Sequence, residues 1–327
     1  MTPLLEIRDL QVDLHTRRGD LRAIDGLSFS VSEGETVALI GESGCGKSLT
    51  ALAIMGLLPT PPAELSGGSI LYNENDIAKL PEKGMQAIRG RRISMIFQDP
   101  MSALNPVMTI GRQISEGLQR HFRLSAADAR TRAIELLDTV RIPSPEARFD
   151  AYPHQLSGGM NQRVVIAAAI ACEPDLLIAD EPTTALDVTI QSQILELLRD
   201  IQARTGMGMI FITHDLGVVA EMADRAVVMY GGRKMEEAGI FDLFEKPRHP
   251  YTRGLLGSTP RPGDAPATRL TEITGSVPGL GDLPRGCVFS NRCASAFERC
   301  AASRPALTRV DATTEAACFL VEEETPA

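Results

Sequence analysis

Apolar and polar positions alternate twice near the start of the chain, from Leu5 to Leu14 and from Leu21 to Val31, with the polar run Thr16-Arg17-Arg18-Gly19-Asp20 between them. A period of two predicts a pair of strands in an antiparallel sheet, joined by that turn. After Ser32-Glu33-Gly34-Glu35 the run Thr36-Val37-Ala38-Leu39-Ile40 predicts a short buried strand, then a glycine-rich loop, then an apolar helix through Leu57. Four further apolar runs, Ile93 to Phe97, Leu176 to Ala179, Met209 to Thr213 and Ala226 to Tyr230, read as buried strands. Helical patterns separate the last three, so a mostly parallel sheet is expected. The helix before Met209 is clear, because Ile190, Ile194, Leu197, Leu198 and Ile201 fall on one face. From about Gly111 to Tyr152 strand patterns give way to a helix opened by Ser125, with Asp128 three residues on, which predicts a helical insert. Beyond Pro247 periodicity fades and Pro, Gly and Arg accumulate. A small loop-rich domain is expected over 247–327, after a main domain over 1–246 whose helical part covers about 100–172.

Composition narrows the class. A chain of 327 residues buries about three quarters of its unfolded surface, so the main core needs no metal or disulfide. Hydrophobic residues make up 43% and charged residues 23%, a globular balance. The net charge of −9 argues against a broad nucleic-acid-binding face. No apolar run reaches the roughly 18 residues of a membrane span, and Met1-Thr2-Pro3-Leu4-Leu5-Glu6 has no signal-peptide pattern. The chain reads as cytosolic, where its six cysteines are not expected to form structural disulfides.

The chemistry begins at Gly41-Glu42-Ser43-Gly44-Cys45-Gly46-Lys47-Ser48. Glycines at this spacing let successive backbone N–H groups turn toward a polyphosphate at a helix N-terminus, where the helix dipole also favours negative charge. Gly41, Ser43, Gly44, Cys45, Gly46, Lys47, Ser48 and Leu49 are the candidate nucleotide contacts, with Lys47 on the β- and γ-phosphates and Ser48 on Mg²⁺. Cys45 is read first as a small side chain that fits the loop, the alternative being a thiol whose pKa is lowered at a helix N-terminus and which reacts with alkylating reagents unless MgATP covers it. Hydrolysis also needs a carboxylate near the metal and a base for the attacking water. The apolar strand ending in Asp180-Glu181 supplies both, with Asp180 for the metal and Glu181 as general base.

Other motifs then resemble one family. Leu156-Ser157-Gly158-Gly159-Met160 with Asn161-Gln162-Arg163 is similar to the signature of ATP-binding-cassette ATPases, Phe97-Gln98-Asp99-Pro100 to their Q-loop, Ala185-Leu186-Asp187 to their D-loop and Thr213-His214-Asp215 to their switch histidine. The resemblance covers about residues 5 to 235. It implies an α/β P-loop NTPase fold, with a RecA-like core, an N-terminal antiparallel β-subdomain and a helical insert. It implies ATP hydrolysis, with Gln98 touching Mg²⁺ and the water, Asp180 near the metal, and His214 gripping the γ-phosphate and Glu181. Ser157, Gly158 and Gly159 would close over nucleotide held by a second ATPase subunit, and Asp187 would cross that interface. One departure is the first hairpin turn, where Leu14-His15-Thr16-Arg17-Arg18-Gly19 lacks the family's adenine-stacking aromatic. His15 or Arg18 is left for that contact. A cassette acting on DNA or ribosomes usually has two cassettes or a long coiled coil, whereas this chain has a single Leu156-Ser157-Gly158-Gly159 and no heptad run.

The last segment contains Cys287-x5-Cys293-x6-Cys300-x17-Cys318. Four soft ligands in a segment with little core of its own suit zinc or an iron–sulfur cluster, and the spacing alone names neither. His249-Pro250-Tyr251-Thr252, Leu255-Leu256 and Val277-Pro278-Gly279 before these cysteines resemble the C-terminal extension of oligopeptide and dipeptide permease ATPases. That resemblance implies a metal-binding tail with a [4Fe-4S] cluster on Cys287, Cys293, Cys300 and Cys318. It also implies the energising subunit of a peptide importer on the cytoplasmic face of the membrane. Its partners would be a homologous second ATPase, two transmembrane permease subunits and an extracytoplasmic binding protein. Cys172, alone after an Ala-rich helix, is expected to pack as a small apolar group.

Overall fold

The two alternating N-terminal runs become the strands Leu5–Thr16 and Gly19–Val31. They belong to an antiparallel sheet whose other strands, Ala63–Tyr72 and Asn75–Asp76, lie on the far side of the first. Leu5 pairs with Tyr72 and Leu14 with Ala63. The strand Ala63–Tyr72 is not legible in the sequence because Gly67 and Gly68 interrupt it, and the fold explains them. The register shifts opposite, between Arg8 and Gln11, Asp9 there has a φ of 46°, and a Cβ on Gly68 would lie 2.5 Å from the Asp9 carbonyl oxygen. A bulge brings the two backbones close enough that only glycine fits.

The computed structural model describes residues 2–17, 19–184, 186–258 and 272–324. Two compact units account for them, one made of Met1–Leu4, Val31–Glu35 and Lys79–Ile212, the other of Leu5–Ser30, Thr36–Ala78 and Thr213–Ala327. Among the described residues no helix is long and apolar enough to cross a membrane.

In the first unit the strands Ile93–Ile96, Leu176–Asp180 and Gly208–Ile212 pair side by side in parallel, every residue of them buried. The helix Val188–Thr205 buries Ile194, Leu197, Leu198 and Ile201 and ends on Gly206 at a φ of 70°. The helical insert contains Ile110–Phe122 and Ala126–Thr139. Ser125 caps the second, accepting from the Asp128 N–H at 3.2 Å while its hydroxyl donates to the Asp128 carboxylate at 2.6 Å.

In the second unit Thr36–Ile40 pairs in parallel with Arg225–Tyr230, which pairs antiparallel with Arg233–Gly239. The short strands Glu315–Ala316 and Thr308–Arg309 extend that edge. Arg233-Lys234-Met235-Glu236-Glu237 does not read as a strand because its charges mask the pattern. Both glutamates are nonetheless buried with partners. Glu237 pairs with Arg225 and Lys234, and Glu236 accepts from the backbone N–H groups of Arg248 and His249 at 2.7 and 2.8 Å. Glu236 thereby ties the start of the helix Pro250–Gly257 to the sheet. Tyr251, Leu256, Val288 and Phe289 share a core with Ile40, Val228 and Tyr230, so the tail segment packs on the strand that carries the glycine-rich loop.

Candidate nucleotide-binding site

The loop after Ile40 has three glycines in the left-handed region, Gly41, Gly44 and Gly46, at φ of 148°, 83° and 103°. Gly41 is sterically required, since a Cβ there would meet the Met229 carbonyl oxygen at 2.2 Å. Gly46 precedes the helix Lys47–Ile54, and its carbonyl accepts from both the N–H and the hydroxyl of Thr50 at 2.9 Å. Lys47 is buried, and its ammonium donates to the carbonyl oxygens of Gly41 at 2.6 Å and Glu42 at 3.2 Å. The loop therefore curls around a fixed cation, with Ser43 and Gly44 exposed and Ser48 and Leu49 half-buried at the helix start.

At Cys45 the structure favours the small packed side chain over the reactive thiol. Its side chain is 1% exposed, and burial pushes its thiol pKa up rather than down, outweighing the Lys47 ammonium 3.8 Å from Sγ. A raised pKa leaves little thiolate at neutral pH. Cys45 in the folded chain should therefore resist iodoacetamide with or without MgATP and label only after unfolding, as mass spectrometry of the modified peptide would report. Rapid labelling of the folded chain would contradict this placement.

The second constellation lies at the end of Leu176–Asp180. Asp180 is 4% exposed, and Glu181 has a φ of 47°, a left-handed conformation unusual for glutamate. Such strain persists where surrounding contacts enforce it. The Glu181 N–H donates to the Ile212 carbonyl at 2.9 Å. Its carboxylate accepts from the Gln98 amide at 3.0 Å and the Thr184 hydroxyl at 2.7 Å. Gln98 and Glu181 thus come together across 83 residues of sequence. Thr184 was not identified by sequence reasoning. Its only signal is its position in the tight turn in which its N–H donates to the Glu181 carbonyl at 3.1 Å.

Ser157 caps the helix Gly158–Ile170, its hydroxyl accepting from the Met160 N–H at 3.3 Å. Gly158 faces open space, whereas a Cβ on Gly159 would press on Ile190 at 2.9 Å. Asp187 caps Val188–Thr205 by accepting from the Ile190 N–H at 3.0 Å. Ala185 lies outside the described residues. His214 is exposed just past Gly208–Ile212, beside Asp215, which caps Leu216–Met222. In the first hairpin both ring nitrogens of His15 are engaged at 2.8 Å, with Asp20 and Glu64, and these carboxylates raise its pKa. Arg18 lies outside the described residues.

The family model described as ABC transporter matches residues 24–184, and the oligopeptide/dipeptide transporter C-terminal region matches residues 235–300. The dipeptide transport ATP-binding protein DppD of Bacillus subtilis is 50% identical over 323 residues, covering 99% of this chain and 96% of that protein. The chain belongs to the ABC transporter family. A probable peptide ABC transporter ATP-binding protein of Sinorhizobium fredii, y4tR, is 49% identical over 98% of this chain and 96% of its own length. Among solved structures, the ABC cassette MJ0796, dimeric and bound to ADP and Pi after hydrolysis, superposes with a TM-score of 0.66. It is 26% identical and covers 72% of this chain and 98% of its own. The cassette cbiO1 from Clostridium perfringens gives a TM-score of 0.63 at 30% identity, covering 76% of this chain and 93% of its own. The α/β P-loop fold of the ABC ATPases is therefore the fold of this chain, and the chain is an ABC ATPase.

In this ABC chain the tail cysteines form no disulfide among the described residues, with Cys287, Cys293 and Cys300 half-buried and Cys318 buried. The Cys287 N–H donates to the Cys300 carbonyl at 2.8 Å. Burial, followed by the neighbouring Cys300, Cys318 and Cys293, pushes the Cys287 thiol up to about 11. Among the described residues no three of His, Cys, Asp or Glu are grouped to hold a metal ion. The expected metal-binding domain is thus not supported among the described residues. Cys287 and Cys293 pack against the Tyr230 and Phe289 core and Cys318 packs with Ala316 and Val321, and Cys293, Cys300 and Cys318 all lie near enough to Cys287 to raise its pKa. Cys172 packs as a small apolar group, 3% exposed, with its thiol pKa raised by burial.

Proposed function

We propose that this chain is the ATP-hydrolysing subunit of an importer that carries peptides across the cytoplasmic membrane. The observation that carries the reading is the identity of about half the residues, over nearly the whole chain, with the dipeptide transport ATP-binding protein of B. subtilis, together with the oligopeptide/dipeptide match over 235–300. In this reading Gly41 and the loop from Ser43 to Leu49, with the Lys47 ammonium, hold the nucleotide phosphates. Ser48, Asp180 and Gln98 hold Mg²⁺, and their donor set of hydroxyl, carboxylate and amide oxygens suits a hard cation. Bound there, the metal neutralises charge on the phosphates. Glu181, oriented by Gln98 and Thr184, takes the proton of the attacking water, and His214 steadies the γ-phosphate.

Ser157, Gly158 and Gly159 serve nucleotide on a homologous second ATPase subunit, with Asp187 at that interface. Exposed Phe97, Met101 and Val107, at 37%, 49% and 79%, flank Gln98 in sequence and offer apolar surface to two transmembrane permease subunits. This holds the chain on the cytoplasmic face, and an extracytoplasmic binding protein delivers the cargo. A 1–246 ATPase domain with a 247–327 extension is the matching division. For the extension, the four thiolate donors suit a [4Fe-4S] cluster in chemistry, with zinc as the alternative. Iron, sulfide and zinc analysis of anaerobically purified chain distinguishes the two. Purified from its native membranes in detergent, the tagged chain should bring down two membrane subunits and a second ATPase. Recovery of the chain alone under those conditions would count against the importer reading.

A further inference from the structure

Glu42, the second residue of the phosphate loop, is held from two directions by residues far along the chain. Its backbone N–H donates to the Tyr251 hydroxyl at 2.9 Å. Its carboxylate receives both arms of the Arg292 guanidinium, at 2.6 and 3.0 Å. Arg292 stands in the turn Ser290–Arg292 between Cys287 and Cys293, with a side chain only 6% exposed. Nε donates to the Thr274 carbonyl at 3.0 Å, and Nη1 and Nη2 approach the Tyr230 hydroxyl and the Ile273 carbonyl at 3.4 Å. Tyr230 and Tyr251 meet edge to face with centroids 4.8 Å apart, and Phe289 packs against both. A planar fork held on one carboxylate and backed by carbonyls and packed rings is a preorganised clamp.

We propose that Arg292 and Tyr251 are positioning residues for nucleotide binding, which hold Glu42 in place and neutralise its carboxylate beside the phosphate site. The steric part follows from continuity. Glu42 lies between Gly41 and Ser43, and its carbonyl accepts from the Lys47 ammonium at 3.2 Å, so its placement sets the near wall of the phosphate cradle. The electrostatic part follows from sign. An unpaired carboxylate on the loop would repel a polyphosphate, and the Arg292 charge cancels that repulsion. The tail is on this account a component of the nucleotide site, which deepens the ATPase reading and rests on it.

The test is titration of the full-length chain with the magnesium complex of the β,γ-imido analogue of ATP, followed calorimetrically. Arg292→Gln should weaken binding about tenfold, the scale of one unit charge acting across a partly screened loop. Adding Glu42→Gln to that variant should restore binding to within about threefold of the wild type, because it removes the uncompensated charge. Arg292→Lys, which keeps the charge, should fall between them and serves if Arg292→Gln fails to fold. Tyr251→Phe should weaken binding while leaving thermal unfolding nearly unchanged. Wild-type affinity in a folded Arg292→Gln chain, or no recovery on adding Glu42→Gln, would overturn the proposal. A wild-type chain that binds no nucleotide would instead refute the ATP site itself.

Discussion

Replacing Glu181 with Gln is expected to lower ATP turnover by about 10²- to 10⁴-fold while leaving nucleotide binding intact. Gln matches Glu in shape, so its amide oxygen can still accept from Gln98 and Thr184, now 3.0 and 2.7 Å from the carboxylate. The unusual φ of 47° is no harder for one side chain than for the other. What the substitution removes is the group that takes a proton from water. Steady-state phosphate release set beside equilibrium nucleotide binding reads the two effects apart. Undiminished turnover would remove Glu181 from the role of base.

Lys47→Ala acts at the opposite point, on binding itself. Charge-assisted hydrogen bonds contribute about 1.5–3 kcal/mol, so losing the ammonium should weaken ATP binding ten- to a hundredfold, with turnover falling alongside. The effect exceeds a simple charge loss because the Gly41 carbonyl loses the Lys47 donor at 2.6 Å, while the Glu42 carbonyl keeps only the Cys45 N–H at 3.3 Å. Calorimetric titration with MgATP gives the affinity, and a thermal melt of the same preparation verifies that the chain is folded. Unaltered affinity would mean that the loop binds phosphate without its cation.

These two predictions rest on parts of the molecule that the sequence displays openly, for a physical reason. The phosphate loop is local, since the glycines, the cation and the helix that presents them occupy consecutive positions, and the geometry is already implied by residue type. The parallel strands were legible because burial on both faces leaves uninterrupted apolar runs. Arg233–Gly239 was not, because Glu236 and Glu237 are buried with partners supplied by distant segments, and a buried ion pair looks like surface in a sequence. Ala63–Tyr72 was hidden by glycines that serve a bulge on its neighbour.

The same distinction runs through the site. Gln98 and Glu181 were visible as separate motifs, and their hydrogen bond fits the roles inferred for them. Thr184 was invisible because a threonine in a turn is ordinary. Arg292 was invisible because nothing in Ser290-Asn291-Arg292 hints at a partner 250 residues away. For Cys45 the sequence leaves two readings open for a related reason. Position at a helix start suggests a lowered pKa, but only the fold shows the thiol turned inward, where desolvation outweighs the dipole. The tail cysteines suggest ligands by their number, and among the described residues no metal-holding group supports that reading.

The central claim is that this ABC chain supplies only part of a working ATPase and hydrolyses ATP in the service of peptide import. The most direct measurement is ATP turnover by the purified chain alone, compared with turnover by the chain assembled with its second ATPase and permease subunits in vesicles containing peptide-loaded binding protein. The account predicts slow hydrolysis by the isolated chain and a rise of at least about tenfold in the assembly, abolished by omitting peptide or by Glu181→Gln. Equal turnover in the two preparations, indifferent to peptide, would contradict it.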